Sequence, residues 1–442
     1  MTASVITVVL IFLFLLLGFL YPWVIMAALL ATPVFKLALI FYLPFFRVVD
    51  PTALVCALAL LLGLWNYFRR ARLGRPLMIP WPMLLCMVGL AGMLFVGLLY
   101  TTAPDYGFRK ALRFAGISIP FLLLPSFYVR CKEDGHAMIK MVILVGAVTA
   151  LFLIWKQESE VARHVTGGWG RTKVLGGAAG ISAQIVGLSI LTVLTAFSVK
   201  GSSSRFLRYA GLIGLPLGLA AVLLSGSRAS LLYLLFVAAF LPLLSGARQR
   251  GRAMFVLALV VPVVLIGVFS FLARGGWDLA PRWTGFIEGR GTAIQSRTRL
   301  WAFVGETWWM RPVMGHGSGS FAMDYMGVDD TEAPHNIIVE ALYEEGLVGA
   351  GILLLFFGLV ARTALRGLAQ IPEDSPRDRL LVVAPLVMVL FLGLRSMSSV
   401  DIEQMRFLYL ACGLLHANVS HLVYSNRQMA LAPSMGPVPM RV

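Results

Sequence analysis

A chain of 442 residues that is 59% hydrophobic and only 13% charged, with a mean hydropathy of +0.84, is not a soluble globular protein, in which about 25% of residues are charged. Its formal charge of +16 is split among short loops instead of forming one groove, which argues against nucleic-acid binding and fits the Lys and Arg excess of cytoplasmic loops. The four cysteines form no CxxC pair, so neither a disulfide framework nor a thiolate zinc site is indicated.

Apolar runs of about 18 residues or more cross a bilayer as helices. Val5–Ala31, Pro80–Tyr100, Ile181–Val199 and Ala253–Ala273 are the clearest. The first lacks the basic n-region of a cleaved signal peptide and continues into further apolar sequence, so it reads as part of the membrane domain. Pro22, Pro33 and Pro44 predict breaks within the first 46 residues, which make two crossings or one crossing and a re-entrant piece. About eleven crossings follow from Pro51 onward. Five basic clusters lie between apolar runs: Asn66–Arg75, Val129–His136, Lys200–Arg208, Gly246–Arg252 and Ala361–Arg379. With all five on the cytoplasmic side, Thr101–Lys110, Lys156–Gly177, Ser225–Arg228, Arg274–Glu345 and Ser396–Asp401 face the other way as connections. Charges then collect in loops and on one face, with Lys36 the main exception. The expected fold is all-α, a polytopic integral membrane protein with about 12 transmembrane helices. It divides into transmembrane helices over 1–273, a large outer loop over 274–345, further transmembrane helices over 346–422 and a Pro- and Met-rich disordered tail over 423–442. No inverted repeat of the kind found in secondary transporters is visible.

The outer loop is far longer than an ordinary connection, yet it carries Trp277, Trp283, Trp301, Trp308, Trp309, Phe303, Phe321 and Tyr325. That aromatic content predicts a folded cap of short helices, partly embedded at the interface. Three features of the outer face have residue types suited to chemistry. Arg228 follows a tight Ser-Gly-Ser turn; it is either an interfacial arginine snorkelling to headgroups or an anion-binding group at a helix N-terminus. Arg297 and Arg299 precede Trp301, and residues two apart on a helix do not share a face, so the two have different jobs. Gly315, Gly317 and Gly319 permit a tight turn, although without the strand and helix of a phosphate-binding GxGxxG.

The third feature is "PHNIIVEALYEEGLVG". Pro334 stops what precedes it, Asn336 can cap, and a helix then runs on into the membrane. Glu340 and Glu344 share one face, Gly346 and Gly349 would let a neighbouring helix approach, and His335 sits at the start with a titration range suited to proton transfer. The alternative for His335 is an ordinary hydrogen-bonded structural histidine. A metal site built from His316, His335, Asp324, Asp329 and Asp330 has no recognisable ligand spacing, and none is expected.

In this order, an SxSR turn between two membrane helices (Ser225–Arg228), an Arg four residues before Trp (Arg297, Trp301), "PVMGHGSGSF" and "PHNIIVEALYEEGLVG" resemble the O-antigen ligase and polymerase family of bacterial envelope glycosyltransferases. The resemblance covers roughly Ser225–Gly351; elsewhere only hydropathy and topology match. It departs in having Gly-Ser-Phe where Gly-Asn-Phe is expected. It implies a multi-pass protein of the bacterial inner membrane with a periplasm-facing site, using an undecaprenyl diphosphate-linked glycan as donor and no cofactor. A sugar–diphosphate bond already has a good leaving group, so catalysis reduces to stabilising diphosphate charge and activating an acceptor hydroxyl. Arginine suits the first task, which the resemblance gives to Arg228 and Arg297 and secondarily to Arg299. His335 suits the second as general base, with inversion at the anomeric carbon. Asn336, Glu340, Glu344, Trp301, Gly315 and Gly317 are supporting residues. The glutamates orient His335, bind sugar hydroxyls or stabilise the helix start.

The basic outer segments Lys156–Lys173 and Arg274–Arg311 suit a phosphorylated acceptor, lipid A-core, and so a ligase. A polymerase extending lipid-linked O-antigen or exopolysaccharide, and a protein O-oligosaccharyltransferase, are the alternatives within the family. A lipid-linked glycan transporter is the alternative outside it; it would place ionisable residues along a path inside the bundle.

Overall fold

The computed structural model describes residues 16–18, 20–72, 78–155, 179–199, 209–225, 227–246, 249–258, 261–262, 292–330, 333–372, 375–398 and 401–431. The expected crossing at Ala253–Ala273 lies mostly outside these residues, and so do the connection Lys156–Gly177 and the first 15 positions. Among the described residues the regular structure is helical throughout. Seven helices are long and apolar enough to cross a membrane, and four shorter apolar ones accompany them.

The first helix, α1 (Pro22–Tyr42), begins at Pro22, where the missing N–H costs nothing. It does not break at Pro33, as the sequence predicts, but carries that proline inside a continuous helix. Lys36 on this helix pairs with Asp50, so the one obvious cation of the N-terminal region is neutralised by the connection that follows. Next come α2 (Pro51–Arg72) and α3 (Trp81–Gly97). The connection expected at Thr101–Lys110 is mostly helix: α4 (Pro104–Tyr128) starts at Pro104 and passes through a π-type turn at Phe114–Ser118. Asp329, distant in sequence, caps it by accepting from the Asp105 and Tyr106 backbone N–H groups at 3.0 and 2.9 Å. That cap satisfies donors that a helix start leaves open.

Behind these lie α5 (Lys132–Trp155), α6 (Ala179–Ser198), α7 (Leu215–Leu224) and α8 (Arg228–Leu244). The α6 window is 83% buried, although it is rich in Ser and Thr. Thr192, Thr195 and Ser198 return their hydroxyls to carbonyls one turn back, at Leu188, Leu191 and Leu194, which satisfies them without water. The cap contributes α9 (Thr292–Thr307), α10 (Ser320–Met326) and α11 (Ile337–Glu344). The chain ends in α12 (Gly346–Ala369), α13 (Pro376–Ser396) and α14 (Arg406–Leu431). The apolar stretches of α13 and α14 are 78% and 72% buried, against 33% for those of α2 and α12. So α6, α13 and α14 form the inner layer, while α2 and α12 present apolar side chains outward. Helix α14 runs through Leu431, past the boundary expected at residue 422.

The alternation of connections is visible in the packing. At one end of the bundle Lys132 bridges to Asp378 at 2.8 Å, and the Arg379 guanidinium donates to the Leu244 carbonyl at 3.4 Å. Three of the basic connections therefore meet there. At the other end the segments around Thr101, Ser318 and Glu403 meet: Thr101 Oγ1 donates to the Ser318 carbonyl at 2.8 Å and Ser118 Oγ to the Glu403 carbonyl at 3.1 Å.

Candidate functional site

The site begins with a break in the last cap helix. The expected run from Asn336 straight into the membrane does not occur. Asn336 caps α11 as predicted, its side-chain oxygen accepting from the Ile338 and Val339 N–H groups, but α11 stops at Glu344 and Gly346 turns the chain at φ +67°. A new helix, α12, starts there. The glycine-rich turn clamps this break from both sides. His316 and Gly317 donate backbone hydrogen bonds to the Tyr343 and Glu344 carbonyls, both at 2.9 Å, and Leu347 N–H donates to Pro312 at 2.8 Å. Gly346 and Gly349, expected to admit a neighbouring helix, serve this turn instead: a Cβ on Gly346 would strike Val313, and one on Gly349 the Glu345 side chain.

Gly315, Gly317 and Gly319 all have positive φ, at +72°, +99° and +75°. A Cβ on Gly315 would collide with the Glu344 carbonyl, and one on Gly317 would lie 2.7 Å from Gly97 O. Gly315→Ala is expected to cost about 1–3 kcal/mol from backbone strain alone, with the clash added. A thermal unfolding midpoint within a degree of wild type would mean the turn is not clamped as described.

Under the break lies a charge network that the sequence pattern did not predict. Lys110 is fully buried and bonds Glu340 at 2.5 Å and Glu344 at 2.6 Å, with Asp401 at 3.2 Å. Tyr106 donates to Asp401, Ile402 N–H to Glu340, and Gly319 N–H to Glu344 at 2.7 Å. One ammonium thus joins α4, α11 and the α13–α14 connection. Burial and the nearby Asp401 charge push the Glu340 carboxyl up, whereas Asp401 stays low: burial would raise it, but Lys110 and donors from Glu340 and Tyr106 overcome that. Lys110, expected in an outer connection, lies instead within the helix α4, fully buried. The signal was present in the sequence, because Tyr106, Gly107, Lys110, Ala111 and Phe114 form one helical stripe in which Lys110 is the only charged residue.

Glu345 is different. It is 2% exposed, and neither carboxyl oxygen has a hydrogen-bond partner among the described residues. Burial, with Glu344 beside it, pushes its carboxyl well above the usual 4.5. A raised folded-state value means that its stabilising state, the neutral acid, is complete below about pH 4.5 and lost as pH rises. Glu345→Gln removes that ionisation penalty. The variant is expected to match wild type near pH 4.5 and to gain thermal stability progressively toward pH 8, by at most about 1.4 kcal/mol for each pH increment of one. A difference that is the same at every pH would contradict this.

Of the remaining predicted residues, Trp301 contacts the turn that carries His335. His335 opens the last turn before α11 with φ +57°, the one non-glycine positive φ among the described residues. Trp301 Nε1 donates to the Pro334 carbonyl at 2.8 Å, which holds α9 against the His335 turn. Arg297 lies one helical turn before Trp301 on the same helix and is half-buried, while Arg299, two residues on, is exposed, so their faces differ as expected. Arg297 also lies within electrostatic reach of Tyr233 on α8, the helix whose first residue is Arg228. The Arg228 side chain lies outside the described residues. Glu340 and Glu344 are committed to Lys110.

An aromatic cluster of Phe303, Phe321, Tyr325 and Tyr343 fills the space between α9, α10 and α11. His316 stacks on Tyr343 with centroids 4.4 Å apart. Asp324 accepts from the Tyr343 and Thr102 hydroxyls at 2.9 and 2.8 Å. Asp324 and Asp329 are thus engaged as hydrogen-bond acceptors for protein groups.

No curated protein matches this chain. Residues 213–354 match the model of the family described as O-Antigen ligase. The matched span runs from just before α7, through α8, the cap and its glycine clamp, into α12. It therefore contains Arg228, Arg297, Trp301, Gly315, Gly317 and His335, together with two of the three carboxylates that bind Lys110. Over this region, about a third of the chain, the sequence is similar to the O-antigen ligase family.

Proposed function

We propose that this protein transfers O-antigen polysaccharide from undecaprenyl diphosphate to lipid A-core at the outer face of the bacterial inner membrane. The observation that carries the reading is the Trp301–Pro334 hydrogen bond, which sets the arginine-bearing helix beside the histidine turn. Arg297 and Arg228, with Arg299 at the exposed rim, bind the donor diphosphate. They supply positive charge where the leaving group develops negative charge. His335 accepts the proton of the acceptor hydroxyl, which attacks the anomeric carbon opposite the diphosphate and inverts it. Charge stabilisation by arginine makes the step independent of metal. Lys110, Glu340 and Glu344 hold the framework and touch neither substrate.

A transporter would need ionisable residues along a path through the bundle. The buried cluster around Lys110 is instead closed on itself by ion pairs at one end, which favours the transferase. The test supplies purified protein and lipid-linked glycan with one of three acceptors, lipid A-core, a second lipid-linked repeat or a serine-containing peptide, with and without EDTA. Transfer to lipid A-core that survives EDTA is expected. Chain lengthening alone would make the protein a polymerase, glycosylated peptide a protein O-oligosaccharyltransferase, and loss of activity in EDTA would overturn metal independence.

A further inference from the structure

At the end of the bundle opposite the Lys110 cluster, α12 and α14 diverge around a cavity of about 240 Å³ that also touches Met78, ahead of α3. Two arginines line it, Arg366 from α12 and Arg427 from α14, together with Ser420, Tyr424 and His416 of α14. Neither guanidinium makes an ion pair or hydrogen bond among the described residues. Arg366 lies in the last turn of its helix, where a cation answers the helix dipole. Arg427 does not, because α14 continues for another turn to Leu431. Both arginines are exposed and the cavity lining holds no acid, so an anion entering it meets two cations with no competing carboxylate.

The surroundings specify the kind of anion. The Ser420 hydroxyl and His416 Nε2 lie 3.2 Å apart, and the Tyr424 hydroxyl accepts from Gln428 at 2.8 Å, so both hydroxyls are fixed near the cavity. Met78 and two valines of α14 supply an apolar wall. Leu365, next to Arg366, is 68% exposed, as a side chain facing acyl chains would be. This end also carries Lys132, Asp378 and Arg379, so it lies at headgroup depth. A pair of arginines, fixed hydroxyls and an apolar flank between helix ends match a phosphodiester that carries acyl chains.

We propose that this cavity binds the headgroup of an anionic glycerophospholipid, with its phosphate between Arg366 and Arg427 and its acyl chains along the outward face of α12. The site is separate from the transfer site and does not depend on how that site is read. It would tie the basic end of α12 to that of α14, and α12 is the helix that the glycine clamp grips at its other end.

The test uses the full-length protein, delipidated in detergent and titrated with phosphatidylglycerol or phosphatidylcholine, with retained lipid counted by native mass spectrometry. Wild type is expected to retain phosphatidylglycerol on the order of tenfold more than phosphatidylcholine. The double variant Arg366→Gln/Arg427→Gln is expected to lose that preference, and Arg69→Gln, a basic-cluster arginine outside the cavity, to keep it. Equal retention of the two lipids by wild type would overturn the proposal, as would an undiminished preference in the double variant. If the double variant does not elute as a folded protein, each single variant should show a partial loss, and unchanged singles would be equally fatal. Inorganic phosphate is the remaining arm: if millimolar phosphate abolishes the preference, the occupant is a soluble anion and the lipid assignment fails.

Discussion

Lys110→Met is expected to lower the stability of the protein by about 3–5 kcal/mol, the usual result of removing one partner from a buried ion pair. The reason is the arithmetic of the cluster. Among the described residues Lys110 is the one cation within bonding distance of Glu340, Glu344 and Asp401, all of which are buried. Removing it leaves Asp401 with no cation beside it among the described residues, only donors from the Tyr106 hydroxyl, Glu340 and the Glu403 backbone N–H. A methionine fills nearly the same volume, so packing is conserved and the loss is electrostatic.

The variant can recover part of that loss by binding protons. Without the ammonium, all three carboxyls rise above their unfolded values. The folded variant then holds more protons than the unfolded chain, and its stability falls as pH increases. The gap between wild type and Lys110→Met should therefore be smaller at pH 5 than at pH 8. Adding Glu340→Gln should restore part of it by removing one acid. Thermal unfolding in detergent at the two pH values measures this. A gap independent of pH, with no rescue, would show that the carboxyls do not depend on Lys110. Because the cluster joins α4 to α11 and the α13–α14 connection, loss of transfer activity in this variant should follow loss of folded protein and not exceed it.

Much of the fold was readable because membrane helices are set by local composition. Long apolar runs, basic connections and the Asn336 cap each need only a window of sequence. The glycine turn was also readable, since three glycines in alternate positions leave few backbone options. What the turn grips was not. The contacts of Gly315 and Gly317 reach Glu344 and Gly97, and no local pattern pairs those positions. Lys110 was lost for the same reason: its partners Glu340 and Glu344 lie 230 and 234 residues away. The break at Glu345 was legible and was misread. A glycine directly after a run of helical residues is the usual helix stop in the left-handed conformation, and Gly346 has that conformation, but the apolar stretch beyond it suggested one continuous helix. Pro33 was the opposite error, since a proline inside a packed membrane helix is tolerated where neighbouring groups compensate.

His335 offers a variant that separates its chemical role from its structural one. Its φ of +57° is a conformation that costs a residue with a Cβ about 1–2 kcal/mol. Such strain persists only where the surroundings impose it, and it concentrates at functional sites. Here the surroundings are identifiable: Pro334 is held by Trp301, and Asn336 is committed to capping α11. The histidine between them must turn left-handed. His335→Ala keeps the strain and removes the imidazole, and it is expected to lower the transfer rate by about 10²–10⁴-fold, the usual contribution of a general base. His335→Gly removes the imidazole and the strain together. It should lose the same activity while matching or exceeding wild-type thermal stability. A structural histidine would give the opposite pattern, with both variants less stable and activity falling only in proportion to folded protein. Rates per folded molecule, measured with the unfolding midpoints of both variants, decide between the two. If either variant keeps wild-type turnover, His335 is not the base, and the proton must go to another group near the Trp301–Pro334 contact.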